Sequence, residues 1–262
     1  MKIYQVDAFT STEFKGNPAA ICILEKDYED SILQNIAMEK NLSETAFIKQ
    51  TSENEFNLRW FTPETEVNLC GHGTLASAHI LWENNIVQEE KTIHFNTLSG
   101  MLTAKKNNEW IELNFPKGNL KRSEGDTFLL NALSISPANI YEDDIVYLLE
   151  FNTEEDIAHL RPDFAMLKKA RKEEIIVTSK SNNESYDFVS RFFAPAIGVN
   201  EDPVTGSAHC YLAPYWIEKI GKEEVLGFQL SRRTGLVKCS LQHSRVILQG
   251  KAKTILKGTL YI

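Results

Sequence analysis

Two short loops in the chain carry residue types that can bind an anion and move a proton. The first loop is CGHGT at residues 70–74, and the second is TGSAH at residues 205–209. A strand-like string precedes each loop, RWFTP at 59–63 and RFFAP at 191–195, and an apolar stretch with helical spacing follows it. The chain therefore repeats one strand, loop and helix about 130 residues apart, which predicts two related halves that form a cleft.

Small residues at the start of a helix leave backbone N–H groups exposed, and such a helix end attracts anions. The residues predicted to bind a small carboxylate in this way are Cys70, Gly71, Gly73, Thr74, Thr205 and Gly206. The field at a helix end is worth roughly 0.3–2 kcal/mol for a carboxylate, which orients a small acid without holding it alone. One such loop is more often a plain tight turn, and it is the duplication that favours a binding function.

The side chains in and beside the loops differ between the two copies. His72 stands where the second copy has Ser207. A histidine can relay a proton near neutral pH, whereas a serine can only hydrogen-bond or cap. Asp202 precedes Pro203, which favours an extended conformation and can turn the carboxylate toward the helix start. The alternative for Asp202 is an ordinary helix N-cap.

Glu44 is the remaining candidate for acid–base chemistry. It lies in SETAF at residues 43–47, after a helical pattern at residues 28–40 and just before a predicted strand. A glutamate at such a place is ordinarily an exposed loop residue, so a catalytic interpretation depends on further evidence. The string GNPAA at residues 16–20 is likewise interpreted first as a loop before a buried strand.

The elements that must position these residues are mostly short strands. They are predicted near residues 3–9, 19–24, 46–50, 56–61, 92–96, 101–105, 110–115, 174–178, 188–193, 228–231, 236–239, 245–249 and 254–261. Helices are predicted at 28–40, after residue 73, at 154–160 and at 164–172. Because several strands follow one another without a helix between them, a parallel doubly wound sheet is disfavoured.

The predicted fold class is α+β, with two curved mixed β-sheets that each pack against one long helix. The turn-rich string FPKGN at residues 115–119 marks the boundary. We therefore predict an N-terminal half at residues 1–117 and a C-terminal half at residues 118–262. The last strand, about residues 253–262, is expected to pack on the N-terminal half.

The bulk composition excludes several classes of protein. A formal net charge of -8 and a pI near 5.4 argue against a nucleic-acid-binding surface. No apolar run reaches the length of a membrane span, and the first residues lack a signal-peptide core, so a cytoplasmic protein that does not bind membranes is expected. The four cysteines lack CxxC spacing, so neither a metal site nor a disulfide framework is predicted.

One string permits a different interpretation. GHGTLA at residues 71–76 satisfies the dinucleotide fingerprint GxGxxA. That fingerprint requires the glycines to follow a strand directly, whereas here the strand is predicted to end near Phe61 and a turn-rich segment intervenes. An NAD-dependent enzyme is therefore the weaker alternative.

Taken together, these motifs resemble the PhzF-like family, named for an isomerase of phenazine biosynthesis, within the diaminopimelate-epimerase-like superfamily. The resemblance spans nearly the whole chain. The strings that carry it are VDAFT at 6–10 with GNPAA at 16–20, SETAF at 43–47, CGHGT at 70–74 and EDPVTGSA at 201–208.

The resemblance implies two pseudo-symmetric domains, each a curved sheet wrapped around a central helix, with the active site in the cleft between them. It implies catalysis without a metal or organic cofactor, a homodimer, and a small anionic metabolite as substrate. Glu44 then resembles the general base, and His72, Asp202 and Ser207 resemble the groups around the substrate. The implied reaction is an isomerisation that moves a proton between carbons of a small, cyclic amino or hydroxy acid.

One residue separates this isomerase prediction from racemisation. The epimerase branch of the superfamily uses two cysteines, at the positions that match Cys70 and Thr205. Thr205 cannot form a thiolate, so a two-cysteine epimerase is disfavoured and Cys70 is interpreted as a packed thiol. The competing hypothesis is a non-catalytic protein that keeps the fold and binds a metabolite or a partner.

Overall fold

A computed structural model describes all 262 residues, and the contacts divide the chain into two units. The first unit comprises Met1–Phe115 and Ile247–Ile262, and the second comprises Pro116–Val246. From the sequence, the last strand is expected to pack on the N-terminal half from about residue 253. In the structure, the chain rejoins the first unit earlier, at Ile247. None of the helices is long and apolar enough to cross a membrane.

The first unit is a mixed sheet with two helices. Its strands are β1 (Lys2–Ala8), β2 (Asn17–Ile23), β3 (Glu44–Gln50), β4 (Glu55–Phe61), β5 (Glu66–Val67), β6 (Ile93–Thr97), β7 (Gly100–Asn107), β8 (Trp110–Pro116) and β17 (Ala252–Thr259). They pair in the order β17–β1–β2–β3–β4–β6–β7–β8, with β5 beside β4. The β2–β3 and β4–β6 pairs are parallel, and the others are antiparallel. Its helices are α1 (Asp30–Lys40) and α2 (Gly71–Glu83).

Helix α2 is the buried centre of the first unit. Ten of its thirteen residues are buried, and it packs against β1, β2, β3, β7 and β17. Its sequence, GHGTLASAHILWE, is largely apolar around the whole circumference, which is typical of a helix inside a core. Helix α1 covers the other face of the sheet, where Leu33, Ile36 and Ala37 share a hydrophobic cluster with Phe47 of β3.

The second unit repeats this plan. Its strands are β9 (Lys121–Arg122), β10 (Asn139–Glu142), β11 (Val146–Glu150), β12 (Glu174–Lys180), β13 (Phe188–Phe193), β14 (Glu224–Gln229) and β15 (Gly235–Gln242), and β16 (Arg245–Gly250) crosses the unit boundary. Its helices are α3 (Thr127–Ala132), α4 (Glu154–His159), α5 (Phe164–Leu167) and α6 (His209–Ile220), with a 3₁₀ turn at Pro195–Ile197. The predicted helix at 164–172 is therefore too long, because α5 ends at Leu167.

The two units share one pairing pattern. In the first unit, the pairs β1–β2, β3–β4 and β6–β7 are antiparallel, and the pairs β2–β3 and β4–β6 are parallel. In the second unit, the corresponding pairs β10–β11, β12–β13 and β14–β15 are antiparallel, and β11–β12 and β13–β14 are parallel. The register also corresponds, because Thr45 pairs with Phe61 in the first unit and Ile175 pairs with Phe193 in the second. The repeat seen in the two loops therefore extends through the sheets, and the predicted α+β class is confirmed.

A proline inside α6 ties the helix to the segment that enters the second unit. Pro214 has no N–H group, so the carbonyl of Cys210 has no partner within the helix. The N–H of Gly118 donates to this carbonyl at 3.1 Å. Only glycine fits at residue 118, because an added Cβ would lie 2.2 Å from Cδ1 of the Tyr211 ring.

The first residue of α6, His209, is fully buried in the second unit. Its Nδ1–H donates to the Thr205 carbonyl at 2.8 Å, and its Nε2 has no hydrogen-bond partner. The ring packs beside Phe188, and a Cβ at Gly227 would approach Nε2 to 3.0 Å. Burial disfavours the imidazolium and lowers the pKa of His209 to about 4.

We predict that His209 makes the protein sensitive to mild acid. The unfolded chain binds a proton at His209 below pH about 6.5, and the folded chain does so only near pH 4. Stability is therefore complete above pH about 6.5 and falls as the pH drops toward 4, by about 3 kcal/mol at about 1.4 kcal/mol per pKa unit. In urea titrations, His209→Asn should flatten this dependence, while His159→Asn at an exposed position of α4 should not. Equal slopes in the two variants would contradict the assignment.

Candidate active site

The first group of site residues surrounds Glu44, which begins β3. Oε2 of Glu44 lies 2.9 Å from Nε2 of His72, in the first turn of α2. The His72 side chain is 7% exposed and that of Glu44 is 20% exposed. Oε2 is nevertheless buried and accepts no hydrogen bond of good geometry. A buried carboxylate oxygen with spare hydrogen-bonding capacity is unusual in a protein core and is typical of a functional site.

His72 is placed to share a proton with Glu44. Nδ2 of Asn17 lies 3.2 Å from Nδ1 of His72, so in the neutral ring Nδ1 accepts from the amide and Nε2 carries the hydrogen toward Glu44. Burial opposes the imidazolium, but the Cys70 sulfur and the Glu44 carboxylate outweigh it and hold the pKa of His72 well above its ordinary value. His72 can therefore hold a proton near neutral pH.

Cys70 caps helix α2 rather than projecting into solvent. Its Sγ accepts from the N–H of Gly73 at 3.2 Å and lies 3.6 Å from Nδ1 of His72. Its carbonyl accepts from the Thr74 hydroxyl at 2.6 Å. Burial, together with the Glu44 carboxylate, raises the pKa of the Cys70 thiol. These contacts agree with a packed thiol.

Glu44, Cys70 and His72 also place three metal-ligating atoms within 4.8 Å of one another. Sulfur, nitrogen and carboxylate oxygen together form a donor set that suits Zn²⁺. A thiol must lose its proton to bind a metal, however, and the raised pKa of Cys70 opposes that loss.

Asn17, the first residue of β2, reaches this group after a tight loop. Gly16 has φ of 67°, and an added Cβ would lie 2.1 Å from the Ala8 carbonyl oxygen, so no other residue fits there. The buried Asp7 accepts from the N–H of Phe14 at 3.0 Å and fixes the loop. The sequence placed Asn17 only in a loop before a strand. In the sequence, the feature that indicates its role is a polar residue directly before the apolar residues of β2.

The second group of site residues surrounds Asp202, before α6. The Thr205 hydroxyl donates to Oδ2 of Asp202. Gln229, at the end of β14, accepts from the Thr205 N–H at 2.9 Å and donates to the Asp202 carbonyl at 2.8 Å. Asp202 is therefore not the N-cap of α6, because Ala208 holds that position without a side-chain cap. Ser207 is half-buried, and its hydroxyl takes part in none of these hydrogen bonds.

A matched pair of arginines holds the two loops. Arg59 of β4 binds Glu66 through two hydrogen bonds of 2.7 Å, and Arg191 of β13 binds Glu201 through bonds of 2.7 and 3.0 Å. Glu66 lies four residues before Cys70, and Glu201 lies four residues before Thr205. Each arginine therefore fixes the start of a site loop with a planar, bidentate contact. The sequence showed the repeated arginines but not these partners.

The structure thus brings Glu44, Cys70 and His72 together in the first unit, and Asp202 and Thr205 together in the second. Both α2 and α6 begin at the predicted small-residue loops. Gly71 is the first residue of α2, where the N–H groups have no partner within the helix, and Gly206 lies in the turn before the Ala208 N-cap of α6. Asn17, Gln229, Glu66 and Glu201 were missed, because their roles depend on long-range contacts.

The fold and the site define an α+β protein in which one sheet-and-helix unit occurs twice and a glutamate–histidine pair lies at the start of a buried helix. A family model described as phenazine biosynthesis-like protein, PhzC-PhzF, matches residues 6–258. The chain belongs to this family.

Relatives and solved structures agree with this membership. A protein named an uncharacterized isomerase, from Halalkalibacterium halodurans, is 51% identical over 99% of this chain and 98% of its own length. The crystal structure of a phenazine biosynthesis protein of the PhzF family from Enterococcus faecalis matches with a TM-score of 0.95 at 41% identity, over 100% of this chain and 99% of the other. These relatives support an isomerase.

A more distant structure shares the fold alone. The hydroxyproline epimerase from Agrobacterium vitis matches with a TM-score of 0.60 at 8% identity, over 98% of this chain and 91% of the other. The sheet-and-helix plan is therefore found well beyond the family.

We expect Gly73→Ala to disturb the start of α2. An added Cβ would lie 2.9 Å from both Cys70 Sγ and Trp60 Cδ1, and overpacking of this kind typically costs about 1–3 kcal/mol. Gly258→Ala is the control, because its Cβ would meet only ordinary contacts of 3.7 Å. Urea denaturation measures both free energies of unfolding. If Gly73→Ala were as stable as Gly258→Ala, the close packing would be wrong.

We also expect Glu201→Gln to destabilise the protein more than Glu66→Gln. Arg59 keeps a second carboxylate, Asp30 at 2.6 Å, whereas Arg191 is 8% exposed and keeps only backbone carbonyls. Leaving a buried charge without its partner typically costs several kcal/mol, and we expect a loss of roughly 2–4 kcal/mol for Glu201→Gln. Hydrogen exchange should also become faster in residues 202–208. The reverse order of stability would contradict this difference.

Proposed function

We propose that the protein is a cofactor-independent isomerase that moves a proton between two carbons of a small amino or hydroxy acid. Glu44 is the general acid and base, and His72, Asp202 and Ser207 surround the substrate. The class of the reaction is supported by the family and by its relatives named as isomerases. The roles of the residues are supported by their positions at the starts of α2 and α6.

The observation that carries the proposal is the state of Glu44. Its Oε2 is buried and, beyond the contact with Nε2 of the buried His72 at 2.9 Å, accepts no hydrogen bond. A structural carboxylate would be fully hydrogen-bonded. An oxygen that is shielded from water and has spare lone pairs is suited to accept a proton from carbon.

The proton transfer proceeds in two steps. The Glu44 carboxylate takes a carbon-bound proton, and the electron pair of that C–H bond moves into the carbonyl or conjugated system of the substrate. The resulting Glu44 carboxyl then returns the proton to a second carbon, and the carboxylate is restored. A positioned base of this kind typically contributes about 10²–10⁴-fold.

The anion formed between these steps must also be stabilised. Backbone N–H groups aimed at a developing negative charge are among the largest contributions to catalysis, and one such donor is worth about 10²–10³-fold. The loops that begin α2 and α6 supply such groups at Gly71 and Gly206. His72, with its raised pKa, provides further positive charge beside Glu44.

A two-cysteine epimerisation does not suit this site. Cys70 is a helix cap with a raised pKa, and the matching residue of the second copy is Thr205, whose hydroxyl donates to Asp202. The raised pKa of Cys70 opposes thiolate formation, and Thr205 has no sulfur from which a thiolate could form.

We predict that Glu44→Gln abolishes the incorporation of solvent deuterium at carbon. The experiment incubates the protein in D₂O with a panel of cyclic and acyclic amino and hydroxy acids, and measures carbon-bound deuterium by NMR. Glu55→Gln is the matched control, because Glu55 begins the next strand but is exposed. We expect a loss of at least about 10²-fold in Glu44→Gln and no change in the control.

Circular dichroism and thermal unfolding establish whether Glu44→Gln keeps its fold. Deuterium incorporation by a folded Glu44→Gln protein at the wild-type rate would refute Glu44 as the base. An absence of exchange by the wild-type protein across the whole panel, with equal thermal shifts for wild type and Glu44→Gln, would favour a non-catalytic binding protein.

A further inference from the structure

Three metal-ligating side chains of the first unit meet at the start of α2. Glu44 begins β3, Cys70 is the N-cap of α2, and His72 lies in the first turn of that helix. One donor atom of each lies within 4.8 Å of the others. The sequence shows no metal-ligand spacing here, because it is the sheet that brings Glu44 to the helix.

The distances between these atoms are close to those between ligands of one tetrahedral ion. Zn²⁺ lies about 2.3 Å from a thiolate sulfur and about 2.0–2.2 Å from an imidazole nitrogen or a carboxylate oxygen, so two of its ligands are about 3.3–3.6 Å apart. Oε2 of Glu44 lies 2.9 Å from Nε2 of His72, and Sγ of Cys70 lies 3.9 Å from the same nitrogen. Shifts of about half an ångström bring both pairs to the spacing of ligands.

Two of the three donors have outer hydrogen-bond partners that suit a metal ligand. Sγ of Cys70 accepts from the N–H of Gly73 at 3.2 Å, and an N–H at a helix start stabilises a thiolate. Nδ1 of His72 lies 3.2 Å from the amide of Asn17. That amide can turn and present its oxygen to Nδ1–H when Nε2 binds an ion. Outer contacts of this kind orient metal ligands.

A divalent cation removes much of the obstacle to a thiolate at this place. Burial and then the Glu44 carboxylate raise the pKa of the Cys70 thiol, because a second negative charge beside the first is unfavourable. A cation between the two groups attracts both of them, and a coordinating thiol is deprotonated by its metal. Glu44 is the most exposed of the three side chains, at 20%, so an ion has access from its side.

We propose that Glu44, Cys70 and His72 bind a thiophilic divalent cation, Zn²⁺, and that the bound ion inhibits proton transfer at this site. The inhibition rests on the proposed isomerase function, because Zn²⁺ occupies the lone pair with which Glu44 would accept the carbon-bound proton. On binding, the Cys70 thiol releases its proton to solvent. His72 keeps one proton on Nδ1 and binds the ion through Nε2. Three protein ligands leave a fourth position for water.

Co²⁺ is the optical probe for this site, because Zn²⁺ has a filled d shell and no colour. Metal-free wild-type protein titrated with Co²⁺ should develop the intense visible bands of a tetrahedral ion and a sulfur-to-cobalt band in the near ultraviolet. Zn²⁺ should remove both. Cys70→Ala should lack the sulfur band, whereas Cys22→Ala, which removes a buried thiol from the cluster beside α1, should keep it. A wild-type protein without the sulfur band, or a band that survives Cys70→Ala, would overturn the site.

Competition with a chelating indicator measures the affinity for Zn²⁺. Loss of an outer partner of a metal ligand typically costs 10–100-fold in affinity, so we expect loss of a ligand in Glu44→Gln or Cys70→Ala to cost at least about 100-fold. Glu55→Gln and Cys22→Ala are the controls and should bind as the wild type does. Circular dichroism in metal-free buffer checks that each variant is folded. Equal affinities in all five proteins would contradict the assignment.

The inhibition is measured as deuterium incorporation with a substrate found for the wild type. We expect saturating Zn²⁺ to lower the wild-type rate by at least about 10²-fold, the contribution of a positioned base, and EDTA to restore it. The rate that Cys70→Ala retains should respond to Zn²⁺ only at much higher concentrations.

The outcomes separate the two proposals. Exchange that is unchanged or faster with Zn²⁺ bound would overturn the inhibition and leave the proposed function standing. No exchange by the wild-type protein in EDTA would overturn the proposed function, and the inhibition with it. The cobalt spectra need no substrate, so they decide in either case whether the three residues bind the ion.

Discussion

The close contact between Glu44 and His72 is the constraint around which the first unit is arranged. A carboxylate and an imidazole that are largely removed from water are costly to keep unless each compensates the other. The sheet places Glu44 at the start of β3, and the buried helix α2 places His72 opposite it. Asn17 fixes the far side of the ring, and Cys70 and Gly73 fix the helix start. Few of these residues tolerate a change in size, since the helix is enclosed by the strands.

The second unit has the same scaffold with different residues at the helix start. The strand order, the register and the arginine–glutamate pair recur, whereas the residues at the helix start do not. His72 faces Glu44 in the first copy, whereas Glu174, the first residue of β12, has the carboxylates of Glu173 and Asp202 near it. The repeated sheet thus gives the two glutamates the same position in their strands, and the charged side chains around each glutamate differ. In both copies an arginine of the strand before the loop holds the loop through a glutamate, Arg59 with Glu66 and Arg191 with Glu201.

Much of this arrangement can be predicted from the chain alone. The alternating apolar strings locate most strands, and the two small-residue loops mark where α2 and α6 begin. The motifs identify Glu44 and His72, since short signatures keep their residues at fixed spacing. The partners of those residues are harder to predict, because Gln229 and Glu201 act through contacts that only the folded sheet creates. Helix α5 was predicted too long for a related reason: charged residues 168–172 fit a helical pattern, and nothing local showed that the chain turns after Leu167.

Pro214 in α6 has a consequence for the order in which the second unit folds. The carbonyl of Cys210 lies inside the unit and has no helical partner, and a buried carbonyl without a hydrogen bond costs about 1–3 kcal/mol. It is satisfied only when Gly118 docks against Tyr211, far away along the chain. The helix therefore cannot reach its final stability as an isolated element. Its completion requires closure of a long loop, which is a slow step in folding kinetics, so the start of α6 forms late and together with the segment that opens the unit.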